Sequence, residues 1–170
     1  MPEIFGVTGW KNSGKTTLVT RLIEEFRRRD LVVSTIKHAS DDFEIDQPGT
    51  DSDRHRASGA QEVAIISNAK WALIHQTPSA TSAPSLETML GKMAPCDLVL
   101  VEGFKSSAIP KIECIRIGTS DSEPIWMSNK SVVALATDEE TDTGERPQFH
   151  LDEIDRIADY ISQLTGLHNP

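Results

Sequence analysis

The residues best suited to chemistry lie in one octapeptide. Gly9-Trp10-Lys11-Asn12-Ser13-Gly14-Lys15-Thr16 matches the pattern G-x-x-x-x-G-K-[ST] at every position. Gly9 and Gly14 let the backbone turn tightly, so that successive N–H groups, those of Asn12 and Ser13 among them, point inward at phosphate oxygens. The Lys15 ammonium reaches β- and γ-phosphates, and the Thr16 hydroxyl can ligate Mg²⁺. A helix starting near Lys15 adds its positive dipole end, with Thr17 in its first turn. Lys11 lies one residue later than the second signature lysine of some P-loop proteins. It is therefore counted with the loop without being given that role.

A phosphate loop of this kind works with a carboxylate at the end of an apolar strand. Asp97-Leu-Val-Leu-Val-Glu102-Gly103 supplies one in Glu102, which is expected to serve the metal or its water network. Lys105, close behind, is placed to reach a phosphate or a partner. Between these motifs lies the polar segment 37–52. There Asp42 or Asp46 is a candidate for binding the metal through water, and His38 for a hydrogen bond to phosphate. Arg54, His55 and Arg56 follow as further anion-facing candidates.

These residues need elements to hold them. Residues 3–8 read as a strand, about 15–28 as a helix with Leu18, Leu22, Ile23 and Phe26 on one face, and 31–37 as a β-branched strand. This β-α-β unit implies parallel strands. A short helix at about 51–58, a hairpin from 62–67 and 71–76, and a short helix at 86–93 follow. Strands are expected at 97–102, 111–117 and 132–137, and an acidic, turn-rich loop over 138–149. The last helix, about 152–164, puts Ile154, Ile157, Ala158, Ile161 and Leu164 on its core face. The alternation predicts a three-layer α/β fold of P-loop NTPase type, with a mostly parallel sheet, an antiparallel hairpin and one nucleotide-binding domain over 1–170. The functional edge is the carboxyl edge of the parallel strands.

Bulk properties narrow the function. With 170 residues and 38% hydrophobic content the chain can bury a core, and its net charge of −9 argues against a general nucleic-acid binder. The one dense basic run, Arg27-Arg28-Arg29, falls at a helix end and reads as a solvated face. Cys96 and Cys114 have no metal-ligand spacing and read as reduced, core or near-core thiols of a cytoplasmic protein. No run approaches the ~20 apolar residues that span a bilayer, so no membrane association is expected.

Taken together, Gly9–Thr17, Lys37-His38, the 42–46 and 48–52 segments, Arg54-His55, Ala57–Ala60, Leu100–Lys105, Pro110–Glu113 and Ala134–Asp138 resemble the MobB family of molybdopterin-guanine dinucleotide biosynthesis adaptor proteins. The resemblance covers about residues 3–165. It implies a homodimeric GTP-binding protein with weak GTPase activity. Such a protein assists the guanylyltransferase MobA, which joins GMP to molybdopterin, itself a possible ligand. It also nominates Asp138 for the guanine N1–H and N2–H₂ groups, with Thr137 as a weaker candidate. Asp41 stands where the family often has histidine, and Thr50 where it often has lysine. The alternative is an ATP-dependent small-molecule kinase or ligase, which the same fold can host. Since no glutamine or arginine finger is visible in the sequence, slow intrinsic turnover is expected.

Overall fold

A computed structural model describes residues 1–39, 43, 45–77, 83–120, 122–140 and 142–167. The chain divides into two compact units: residues 1–38 with 89–170, and residues 39–88.

The first unit is built on six strands. These are β1 (Glu3–Gly9), β2 (Val33–Lys37), β5 (Leu98–Glu102), β6 (Lys111–Ile115), β7 (Val132–Thr137) and β8 (Gln148–His150), in the order β2-β5-β1-β6-β7-β8. Every pairing among them is parallel. Gly9, Lys37, Glu102, Ile115 and Thr137 therefore end their strands at one edge. The second unit holds the two-stranded antiparallel sheet, β3 (Glu62–Ile66) with β4 (Trp71–His75), and α2 (Asp51–Ala57). The hairpin is thus a separate sheet, and the main sheet is not mixed. A short helix, α3 (Leu86–Leu90), precedes β5.

The two long helices, α1 (Lys15–Arg28) and α4 (Ile154–Thr165), pack against each other and against β1. Their apolar faces close the core over Phe5, Val7, Leu98, Leu100, Ile112, Cys114, Ala134 and Ala136, the strand residues that alternate toward them. Leu18, Leu22 and Phe26 are buried as their spacing requires. Leu164, assigned to the core face of α4, is 44% exposed, because the helix ends at Thr165 with Gly166 left-handed just beyond.

The arginine run also departs from expectation at Arg29. Its guanidinium donates to the buried Glu25 carboxylate at 2.6 Å and to Asp159 of α4 at 2.7 Å, tying the two helices together. Arg28 also binds Glu25, and this hydrogen bond is the main reason the Glu25 carboxyl lies below its ordinary range.

Among the described residues, no long helix lies on the opposite face of the sheet. It is covered by the loop after β5 and by a segment containing one 3-10 turn, η1 (Ile125–Met127), so the third layer is thin. Two elements escaped the sequence reading. Strand β8 begins at the end of the acidic 138–149 stretch and runs to His150, and η1 follows Pro124. Both are three residues long, too short for a periodicity to register.

Candidate functional site

β1 runs directly into the phosphate loop. Gly9 has φ 144°, and a Cβ there would stand 2.5 Å from the Cys114 carbonyl oxygen and from Ser13 Oγ, so only glycine fits. Asn12 (φ 65°) and Gly14 (φ 95°) are left-handed, which bends the loop back toward the first turn of α1. Gly14 caps that helix without a side-chain hydrogen bond. Among the described residues, the N–H groups of Gly14, Lys15, Thr16 and Thr17 have no acceptor within the protein. The buried Ser13 hydroxyl is likewise unpartnered. Free donors clustered at a helix N-terminus are a cradle for a polyanion.

The charged groups converge on this loop. Lys15 Nζ donates to the Trp10 carbonyl at 2.6 Å. Thr16 Oγ1 donates to Glu102 Oε1 at 3.0 Å, across 86 residues of sequence, and the Lys37 ammonium stands 3.8 Å from the same oxygen. Strand pairing explains the meeting, since Glu102 is in register with both Val7 of β1 and Lys37 of β2. The donor set suits Mg²⁺ bound with a nucleotide. One hydroxyl and one carboxylate lie adjacent, and the remaining octahedral positions are of the kind filled by phosphate oxygens and water. The described residues hold no cluster of three or more His, Cys, Asp or Glu that would form an all-protein metal cage.

The other nominated residues fare differently. Lys11 and Asn12 are exposed on the loop, as is Thr17 on α1. Asp138 lies at the same strand edge, where its Oδ1 accepts from the Ile117 N–H at 3.1 Å. Thr137 is buried and donates to the Glu139 carbonyl. His38 packs against Phe104 with the rings tilted by 55° and their centroids 4.8 Å apart. Asp42 lies outside the described residues. Within the 39–88 unit, Asp46 accepts from Thr50, which caps α2, and Arg56 pairs with Asp53 at 2.6 Å, so both serve that helix. Arg54 and His55 are exposed.

Four residues of the site region were missed or undervalued. Arg116 follows β6, has its Nε 3.8 Å from Asp138, and would be 3.7 Å from a Cβ at Gly14. Only the placement of β6 beside β1 brings it there. The Trp10 indole donates to the Glu123 carbonyl at 2.9 Å, and its ring carries the Lys105 ammonium 3.6 Å from the centroid. Lys111 and Glu113, both fully buried, brace the loops on the face opposite α1 and α4. Two open cavities adjoin the edge. One of about 550 Å³ lies beside Trp10, Lys105 and Asn129, and one of about 520 Å³ lies beside Asp138, Gln148 and His150.

Comparison with known proteins bears on the family. A family model described as molybdopterin guanine dinucleotide synthesis protein B, MobB, matches residues 4–138. A Haemophilus influenzae protein named molybdopterin-guanine dinucleotide biosynthesis adapter protein is 35% identical over 158 residues, covering 93% of this chain and 86% of the relative. An Escherichia coli protein of the same name is 30% identical over 171 residues, covering 99% and 97%. Among solved structures, a molybdopterin-guanine biosynthesis protein B is similar at TM-score 0.71 and 28% identity, covering 95% of this chain and 99% of that one. A MobB homolog from Bacillus stearothermophilus is similar at TM-score 0.71 and 26% identity, covering 97% and 99%. No described helix is long and apolar enough to cross a membrane. The phosphate loop, the carboxylate strand behind it and these similarities along nearly the whole chain place the protein in the MobB family.

Proposed function

We propose that this chain is a GTP-binding adapter of molybdopterin guanine dinucleotide biosynthesis, with slow GTPase activity, acting beside the guanylyltransferase MobA in the cytoplasm. The observation that carries the reading is the convergence of unpartnered loop N–H groups, the Lys15 ammonium and the Thr16–Glu102 pair at one strand edge. Phosphate oxygens take the loop N–H groups and Lys15. Thr16, with Glu102 through water, would hold Mg²⁺, which would supply positive charge against the phosphates. Guanine donates N1–H and N2–H₂ to Asp138, beside the cavity of about 520 Å³.

Hydrolysis forms a bond from a water oxygen to the γ-phosphorus and breaks the bond to the β–γ bridging oxygen, releasing GDP and phosphate. Lys15 and the loop amides stabilise the charge that develops.

Calorimetric titration with GTP and with ATP, each with and without Mg²⁺, tests the assignment. GTP should bind more tightly than ATP and should need Mg²⁺ for full affinity, and Lys15→Ala should lose triphosphate binding. Unchanged GTP affinity in that variant would remove the assignment, and a preference for ATP would favour a kinase.

The reading includes a homodimer joined through the 39–88 unit. One face of the β3–β4 hairpin pairs Ala64 with Leu73 and Ile66 with Trp71, and Ile66 and Trp71 are 79% and 73% exposed. A two-stranded sheet with an uncovered apolar face is marginal in water and suits burial against its own copy. Sedimentation should show a dimer that Ile66→Lys with Trp71→Lys converts to monomer. A wild-type chain that sediments as a monomer at every concentration contradicts this part.

A further inference from the structure

One residue of the phosphate loop carries two ammonium groups. Lys15 Nζ donates to the Trp10 carbonyl, and Lys105 Nζ lies over the Trp10 indole. The like charges act on each other: burial first, and then the charge of Lys15, hold the Lys105 ammonium below its ordinary range, with Glu113 opposing. No carboxylate lies within ion-pair distance of Lys105 among the described residues. A cation–π contact is worth only about 0.5–2 kcal/mol, so the group is held lightly.

The backbone beneath Lys105 is held firmly. The chain leaves Glu102 through two consecutive left-handed residues, Gly103 (φ 94°) and Phe104 (φ 45°). A non-glycine residue in that region is strained and persists only when its surroundings fix it. Lys111, fully buried in β6, does so. Its ammonium donates to the carbonyls of Phe104 at 3.2 Å, Lys105 at 3.3 Å and Ser107 at 2.5 Å. Asn129 Nδ2 adds a donor to the Lys105 carbonyl at 2.6 Å. A buried lysine without a carboxylate partner is costly, and here its hydrogen bonds serve one turn.

We propose that Lys105 reads the terminal phosphate: its ammonium moves from the Trp10 face onto the γ-phosphate of a nucleoside triphosphate in the loop, so that the site distinguishes triphosphate from diphosphate. Lys111 is the positioning residue that presents it. This rests on the nucleotide-binding reading above. The polyanion offsets the Lys15–Lys105 repulsion and gives Lys105 an anion at ion-pair distance, while a diphosphate ends short of it.

The experiment is a titration of the full chain with GDP and with a non-hydrolysable GTP analogue, in the presence of Mg²⁺. Lys105→Met should weaken the triphosphate analogue about tenfold or more, the usual scale for one charge-assisted hydrogen bond, and leave GDP within about twofold. Lys105→Arg should recover most of the loss. Retained GDP binding reports that each variant is folded. An unchanged ratio between the two ligands in Lys105→Met overturns the role of Lys105 and leaves the nucleotide reading standing. A wild-type chain that binds neither ligand overturns both.

Discussion

Along β6 four consecutive residues are buried, yet they are buried in two kinds of surroundings. Ile112 and Cys114 join the core beneath α1 and α4, among phenylalanine, leucine and alanine side chains. Lys111 and Glu113 are buried on the other side of the same strand, and each spends its charge on backbone groups of a loop. Glu113 accepts from the N–H groups of Ile125 and Trp126, both at 2.8 Å, and so caps η1 beside the cavity at Trp10. The helix-covered face excludes water, and its energy scales with the apolar area it hides. The other face orders loops with hydrogen bonds whose net worth is small but whose loss is expensive. One face keeps the domain folded, and the other sets where the site's loops stand. Even the Cys114 thiol belongs to the first kind: burial pushes it up to about 12, and it is inert packing.

Substitutions on the two faces should separate these roles. Leu100→Ala, on the helix-covered face of β5, should cost about 2–5 kcal/mol in urea denaturation, as a fully buried leucine does when it leaves a cavity. The folded fraction should keep its nucleotide preference. Lys111→Met should cost less, about 1–3 kcal/mol, the scale of stranding buried acceptors. Unlike Leu100→Ala, it should also flatten the triphosphate-to-diphosphate affinity ratio as Lys105→Met does. A Lys111→Met protein with a wild-type ratio would break the comparison.

The smallest effect is expected at Glu113, and it depends on pH. Burial raises this carboxyl above its ordinary value of 4.5, against the two backbone hydrogen bonds that lower it. Between 4.5 and the raised folded value, the folded chain retains a proton that the unfolded chain has released. Stability therefore falls as pH rises across that window. Glu113→Gln cannot titrate, so its melting temperature relative to wild type should climb as pH rises from about 4. A flat difference between the two curves from acid to neutral pH would show that Glu113 is not penalised by burial.

Much of the edge was legible in one dimension because its physics is local. A phosphate loop needs glycines at fixed offsets, a lysine and a hydroxyl within eight residues, and Gly9–Thr16 meets those demands without reference to the rest of the chain. Amphipathic spacing likewise marked α1 and most of α4, and an unbroken apolar run marked β5, with Glu102 at its end. The hairpin was legible from two short runs around Asn68-Ala69-Lys70, though not its separation from the main sheet.

What only the tertiary structure decided is which strand lies beside which. The order β2-β5-β1-β6-β7-β8 sets Glu102 against Thr16, brings Arg116 to Gly14 and Asp138, and makes Lys111 and Glu113 buried braces. No spacing encodes that order. Alternation says that two residues share a face of a strand, but a charged residue's face becomes an interior only when loops from distant positions close over it, and that closure depends on contacts between segments with no local signature.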